Sequence, residues 1–220
     1  MENVLVIAPH LDDEIIGVGG TIIKHIKNGD KVYVCCVALG KEPVFKKTNI
    51  GIAEASAFHK HLGIIESFFL DFPAVMLEKV DRYIINNALM DVVTKVKPNT
   101  VYIPHCGDMQ KDHQIVTEAA MVVMRPKYDF APQKIYAYET LSETGWNVPN
   151  VQNEFIPNVF VNIESELQEK LNAMNFYKTE LAEFPNARSL EAIEALAKYR
   201  GALMNMRAAE AFALVREQKY

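Results

Sequence analysis

In the stretch APHLDDEIIGVGG, residues 8–20, His10, Asp12, Asp13 and Glu14 crowd a histidine and three acids directly behind an apolar run. Carboxylates that close repel one another and lose hydration wherever the fold shields them. Stability alone does not ask for them, whereas a dication would offset the cost. His10 and Asp13 stand three apart where an extended run passes into a helix. On that bend their side chains can converge on one point while Asp12 projects differently. An imidazole and a carboxylate suit a divalent metal, zinc above all, at about 2.0–2.2 Å. A catalytic zinc needs a third protein ligand. The segment NTVYIPHCGDMQKDHQIV supplies it: a strand-like run ends near Pro104, and Asp112-His113 opens the next helix. His10, Asp13 and His113 together leave one coordination position for water, the mark of a catalytic site.

Each half has a plainer explanation. Asp12 or Asp13 can serve only to cap a helix, and His113 taken alone reads as a satisfied helix histidine. The joint pattern, each half at the end of a strand, favours the metal. His25, His59 and His61 fall in helical stretches and read as surface or packing residues. His105 ends a strand and is a candidate for orienting groups at the site. Glu14 either reaches the site or merely suits the helix N-terminus.

These residues must be positioned by strand ends. NVLVIAP reads as a buried strand, followed by a helix from about Glu14 to Lys27, a strand VYVCCVAL and a Lys-rich loop. A helix GIAEASAFHKHLG, a strand ESFFLDFP and a long periodic helix from Leu77 to Val96 come next. NTVYIP, DHQIVTEAAMVVM and QKIYAYE continue as strand, helix and strand. Such alternation predicts an α/β fold: a Rossmann-like three-layer sandwich with a mostly parallel sheet, its crevice beyond the carboxyl ends of the strands. After the long loop TLSETGWNVPNVQNEFIPN, VFVNI reads as a short strand. ESELQEKLNAMNFYKTEL reads as a helix, and residues 189–217 as one or two additional C-terminal helices. One domain over residues 1–220 is expected.

GVGG raises the possibility of a dinucleotide site. Its glycines are misplaced for that: the turn after the strand is PHLDDE, whose acids would repel a pyrophosphate. The glycines instead suit close packing of the first helix on the sheet.

The chain has 220 residues, half of them hydrophobic, and a formal net charge of -5. A mildly acidic chain argues against nucleic acid or anionic membrane as main partner. No apolar run approaches the roughly 20 residues of a membrane helix, and the N-terminal run lacks the basic head of a signal peptide. Three cysteines, two of them adjacent, fit a reducing cytoplasm. The apolar C-terminal stretch is suited to a homo-oligomer interface.

At these residues the chain resembles the PIG-L/LmbE-like family of metal-dependent N-deacetylases, which carries an H-x-D-D-E segment after its first strand and a D-H pair after a later one. KPNTVYIPHCGDMQKDHQIVTEAAMVVMRP, YETLSETGW and ARSLEAIEALAKYRGALMNMRAAEAF extend the resemblance over nearly the whole chain. It implies zinc, or another divalent metal such as Fe2+, on His10, Asp13 and His113, with Asp12 as general base. It further implies removal of acetyl groups from N-acetylglucosamine units in glycolipids, nucleotide sugars or small conjugates. Where many members carry a histidine three positions before the second-motif ligand, this chain has Gln110, whose amide can support an oxyanion but cannot give up a proton. Asp112, beside His113, is expected to orient groups at the metal. Asn205 and Ala208 stand where the resemblance leads one to expect glycine and tyrosine.

Substrate choice should lie in the loops. Ser142, Glu143, Thr144 and Trp146 offer a sugar ring polar groups and an aromatic face, although Trp146 can equally anchor the loop. Lys41, Lys46 and Lys47 could meet a phosphate. Two other classes compete: a non-catalytic metal- or sugar-binding relative, made conceivable by Gln110 but opposed by the intact Asp12, and a nucleotide-binding α/β protein, disfavoured by the glycine pattern.

Overall fold

The computed structural model describes residues 1–40 and 48–219. Lys41, Lys46 and Lys47, read as a phosphate contact, lie outside the described residues.

Five apolar runs form parallel strands: β1 (Asn3–Ala8), β2 (Lys31–Leu39), β3 (Glu66–Pro73), β4 (Thr100–Pro104) and β5 (Lys134–Tyr138). Two more, β6 (Val159–Asn162) and β7 (Ala209–Glu217), extend the sheet with antiparallel pairings, in the order β3-β2-β1-β4-β5-β7-β6. The mostly parallel α/β fold is as expected. Alternation along β1 divides the core. Val4, Val6 and Ala8 face the layer of α1 (Asp13–Lys27) and α2 (Thr48–Leu62), while Leu5 and Ile7 face α3 (Arg82–Val96) and α4 (Lys111–Val123). α5 (Leu167–Met174) and α6 (Leu190–Ala202) complete the helices among the described residues. None of these helices is long and apolar enough to cross a membrane.

The strand order reverses between β1 and β4, which opens a crevice beyond their carboxyl ends. Both candidate motifs follow these two strands. The glycines of α1 serve packing, as read: a Cβ at Gly17 would fall 2.9 Å from the Glu139 carbonyl, and one at Gly20 would meet Ile163 at 2.8 Å.

Three expectations need correction. The helix from Leu77 to Val96 is interrupted. Leu77–Lys79 is a single 3-10 turn, and Val80 and Asp81 run extended before α3. The break lies at Val80, extended at φ -97° and ψ 132°, and the Leu77 N–H, which a first helical turn would leave unpaired, donates to Asp112 Oδ1 at 3.2 Å and ties the short turn to the crevice. The helix expected over residues 164–181 is only α5. Its apolar face is right, since Leu171, Met174 and Tyr177 are buried, but the chain turns after Met174 so that Tyr177 enters the core. The stretch 189–217 contains one helix and then a strand. Asn205, at φ 55°, ends the helical path, and AEAFALVRE pairs with β5 and β6 despite its helix-forming alanines and glutamates. That left-handed angle gives a physical reason to expect glycine there, and asparagine is among the residues that tolerate it best.

Candidate metal centre

β1 ends at Ala8, and the following turn carries His10 to the crevice. Asp12 takes the N-cap position of α1 in a left-handed conformation, φ 102°, without capping the helix through its side chain. Asp13 is the first residue of the helix. From the other side of the switch point, α4 begins at Lys111 and presents Asp112 and His113. Gln110 caps this helix, its Oε1 accepting from the Asp112 N–H at 2.6 Å.

The two motifs meet. Asp13 Oδ2 lies 3.4 Å from His10 Nδ1 and 3.3 Å from His113 Nε2, and the ligand atoms of the three residues all fall within 4.8 Å of one another. Donors at about 2.0–2.2 Å around a tetrahedral ion stand roughly 3.3–3.6 Å apart. Asp13 and His113 are fully buried, and His10 is the most open of the three at 18%. Asp13 Oδ1 and His113 Nε2 have no hydrogen-bond partner, although buried polar atoms normally find one. His113 Nε2 is near Asp13 Oδ2 but not aligned to bond it.

The outer nitrogen of each imidazole is held by a carboxylate. His10 Nε2 meets Asp112 Oδ2 at 3.0 Å, and His113 Nδ1 meets the buried Asp108 at 2.8 Å. A ring that donates outward can offer its other nitrogen to a cation once that nitrogen gives up its proton, and His10 Nδ1 and His113 Nε2 both face Asp13. Asp112 also accepts from the N–H groups of Val75 and Leu77, and Asp108 from the Thr144 hydroxyl. Donor chemistry, spacing and the two unpartnered atoms all fit a divalent ion.

Charges follow the same geometry. Burial favours neutral rings, yet the Asp112 and Asp13 carboxylates, which accept from the ring, bring the His10 pKa to about 9. The charge of Asp13 and the bond to Asp108 overcome burial at His113 and take it to about 10. Burial would raise Asp13, but the two imidazoles hold it well below the usual carboxylate range. Burial and the neighbouring Asp13 push Asp12 well above that range, while Arg188 opposes them.

A cavity of about 310 Å³ reaches the triad at His10 and is lined also by Asp12, Gln110, Glu143, Glu180 and Arg188 among others, while Asp13 and His113 lie buried behind it. Arg188 Nε donates to Asp12 Oδ2 at 3.0 Å, and the Gln110 amide nitrogen stands 3.3 Å from His10 Nε2. Of the loop residues read as sugar contacts, Glu143 lines this cavity. Ser142 is outside the lining, and Trp146 is 79% exposed and also outside it. A larger cavity, about 600 Å³, lies between Thr144, Asn147, Phe155 and Arg200 and contains none of the triad.

Four residues escaped the sequence reading. Asp108 and Arg188 had no spacing to flag them. His59, read as surface or packing, is buried and bonds Glu14, and Tyr177 meets the same carboxylate. Glu14 therefore turns away from the triad. His105 bonds the Asn153 carbonyl at 3.0 Å rather than a group of the triad. His25 pairs with Asp30, and His61 is exposed against Phe176.

A family model described as PIG-L, GlcNAc-PI de-N-acetylase, matches residues 5–124, which hold both motifs. Solved structures share the fold over the whole chain. The conserved protein TT1542 from Thermus thermophilus is 22% identical with a TM-score of 0.80, covering 100% of this chain and 97% of that one. N,N'-diacetylchitobiose deacetylase from Pyrococcus horikoshii is 20% identical with a TM-score of 0.77, over 96% and 83% of the two chains. GalB, the 4-carboxy-2-hydroxymuconate hydratase from Pseudomonas putida KT2440, is likewise 20% identical with a TM-score of 0.78, over 100% and 98%. At these identities the likeness establishes the fold, and the fold carries both deacetylation and hydration.

Proposed function

The chain belongs to the PIG-L family, and from that premise we propose that it is a zinc-dependent N-deacetylase that hydrolyses the acetamide of an N-acetylglucosamine-type sugar, nucleotide sugar or related small conjugate. One observation carries the proposal: His10, Asp13 and His113 converge with cation spacing, and His10 lines a cavity onto which the Asp12 carboxylate also opens. The donor set suits zinc and admits Fe2+. The chain's free cysteines support a cytoplasmic setting.

His10, Asp13 and His113 would hold the ion, and Asp108 and Asp112 would keep the imidazoles aimed at it. Once bound, a dication supplies Lewis acidity toward the amide carbonyl and makes water more acidic. Asp12 accepts the proton of the attacking water as the water oxygen bonds to the carbonyl carbon. When the carbon–nitrogen bond breaks, Asp12 delivers that proton to the leaving amine, and acetate and a free amine depart. Arg188 holds Asp12 Oδ2 and so fixes the direction of the carboxylate. Gln110, at the cavity wall, can donate to the developing oxyanion but cannot act as an acid. Glu143 is the loop group best placed to meet substrate hydroxyls.

The test is metal analysis followed by acetate release from a panel of N-acetylated sugars, with Asp12→Asn as control. The expected outcome is one ion per chain in both proteins and a loss of about 10²–10⁴-fold in turnover for the variant. Full activity in the variant would remove Asp12 from its role. Bound metal with no acetate release from any substrate would favour a non-catalytic binding relative.

A further inference from the structure

The Asp12 backbone is unusual. A φ of 102° is one that L side chains rarely adopt, and asparagine and aspartate visit the left-handed region mostly in turns. Both ends of the residue are pinned. Its carbonyl accepts from the N–H groups of Ile15 and Ile16 at 3.1 and 3.0 Å. Its N–H donates to Glu14 Oε2 at 3.2 Å, a bond buried from solvent. Glu14 is itself completely buried, and segments distant in the chain hold it. The Tyr177 hydroxyl and His59 Nε2 both meet its Oε1, and Ser67 Oγ meets His59 Nδ1 at 2.8 Å. The donors form one consistent chain: Ser67 O–H to His59, His59 Nε2–H to Glu14, Tyr177 O–H to Glu14, and the Asp12 N–H to Glu14. A carboxylate has only acceptors, so all three bonds into Glu14 fit its ionised form.

In a capping box the glutamate that reaches back to the N-cap N–H stands at the third helical position, whereas Glu14 does so from the second, and helix capping alone requires no further partners. Here α2, β3 and the turn after α5 all converge on that one acid. The bond it makes fixes the residue whose side chain opens on the cavity between His10 and Arg188. We infer that Glu14 is a positioning residue, held by Tyr177 and His59, which keeps the Asp12 backbone in its left-handed turn and so aims the Asp12 carboxylate at the substrate. The inference rests on the deacetylase reading in which Asp12 is the base.

Two measurements on the metal-loaded protein test it. In the first, Glu14→Gln, which keeps the shape but cannot accept from all three donors, is made alone and together with Asp12→Asn. Alone it should keep one ion per chain and its KM while losing about 100-fold in kcat, as a displaced catalytic group does. In the Asp12→Asn background it should cost nothing further, because a residue acting only through Asp12 has nothing left to position. A purely structural role would give the same loss in both backgrounds and would overturn the inference. The second measurement needs no turnover. The amide proton of Asp12, bonded to a carboxylate, should resonate downfield and move upfield in Glu14→Gln. An unmoved resonance also overturns the inference. Tyr177→Phe, which removes one hydroxyl, should shift both readouts in the same direction by less, and it serves if Glu14→Gln does not fold. If no acetamide is hydrolysed, or Asp12→Asn is fully active, the deacetylase reading fails by itself. The Asp12 amide then decides alone whether Glu14 holds the turn.

Discussion

Two clusters of ligand-type side chains lie side by side in the first turn of α1 and its surroundings: His10, Asp13 and His113, and Glu14, Cys36 and His59. Each brings three potential metal donors within reach of one another. They differ in how their polar atoms are satisfied. In the second cluster both Glu14 oxygens and both His59 nitrogens have hydrogen-bond partners within the protein. In the first, Asp13 Oδ1 and His113 Nε2 have none. Leaving buried polar atoms unpaired costs about 1–3 kcal/mol each, so a fold retains them where something else completes them. Proximity of donors therefore does not identify a metal site; unfilled bonding capacity does. The second cluster is a closed network, and the first keeps the open bonding capacity that the proposed ion would fill.

The largest effect that can break this comparison is Asp13→Ala. It should take bound metal from one ion per chain to none and abolish turnover, with a loss beyond the about 100-fold given by outer-partner changes. Metal analysis on the same preparation should find that Cys36→Ala still binds one. A second stoichiometric ion in the parent protein, lost in Cys36→Ala, would erase the distinction. Next in size, Asp108→Ala and Asp112→Ala should each weaken metal affinity about 10–100-fold in a chelator competition, since each frees one imidazole to rotate or change tautomer.

The pH dependence sharpens the contrast at the first cluster. Without metal, His10 and His113 are held above the ordinary value of 6.5, at about 9 and 10. Their contribution to stability is therefore complete below pH 6.5 and fades as pH rises through those values. Asp13, held low, contributes at every pH above the ordinary carboxylate range and loses its contribution only in acid. A metal ion must displace the imidazole protons. Affinity should climb from pH 7 toward about 9–10, with proton release visible as a buffer-dependent binding heat. Binding with no proton uptake or release would contradict the geometry. The smallest effect belongs to Cys36, which touches the closed network without bonding to Asp12. Cys36→Ala should cost about 1 kcal/mol in denaturant unfolding and leave turnover intact.

Local chemistry made the proposed donors legible. His10 and Asp13 announced themselves by crowding, and His113 by its place after a second strand, because strand ends at a switch point are where an α/β sheet exposes side chains. Asp108 and Arg188 could not be read this way. Arg188 reaches Asp12 only because the folded chain brings them together, and Asp108, five residues before His113, reaches its ring only because the turn before α4 doubles back on it. The same limit explains β7. AEAFALVRE has helix-forming residues, and its strand state is decided by the open edge of β5, a partner far away in sequence.

What the residues determined by themselves was the alternation of strands and helices and the chemical character of the two motifs, since periodicity and donor type are properties of short segments. The tertiary structure alone decided which carboxylate faces what. Asp12, Asp13 and Glu14 are consecutive and chemically alike. One left-handed residue at the head of α1 sends the first toward Arg188 and the cavity, the second to the imidazoles, and the third into a buried network with Tyr177 and His59. Directions of that kind are fixed by a backbone angle held through long-range hydrogen bonds, and no reading of neighbours along the chain contains them.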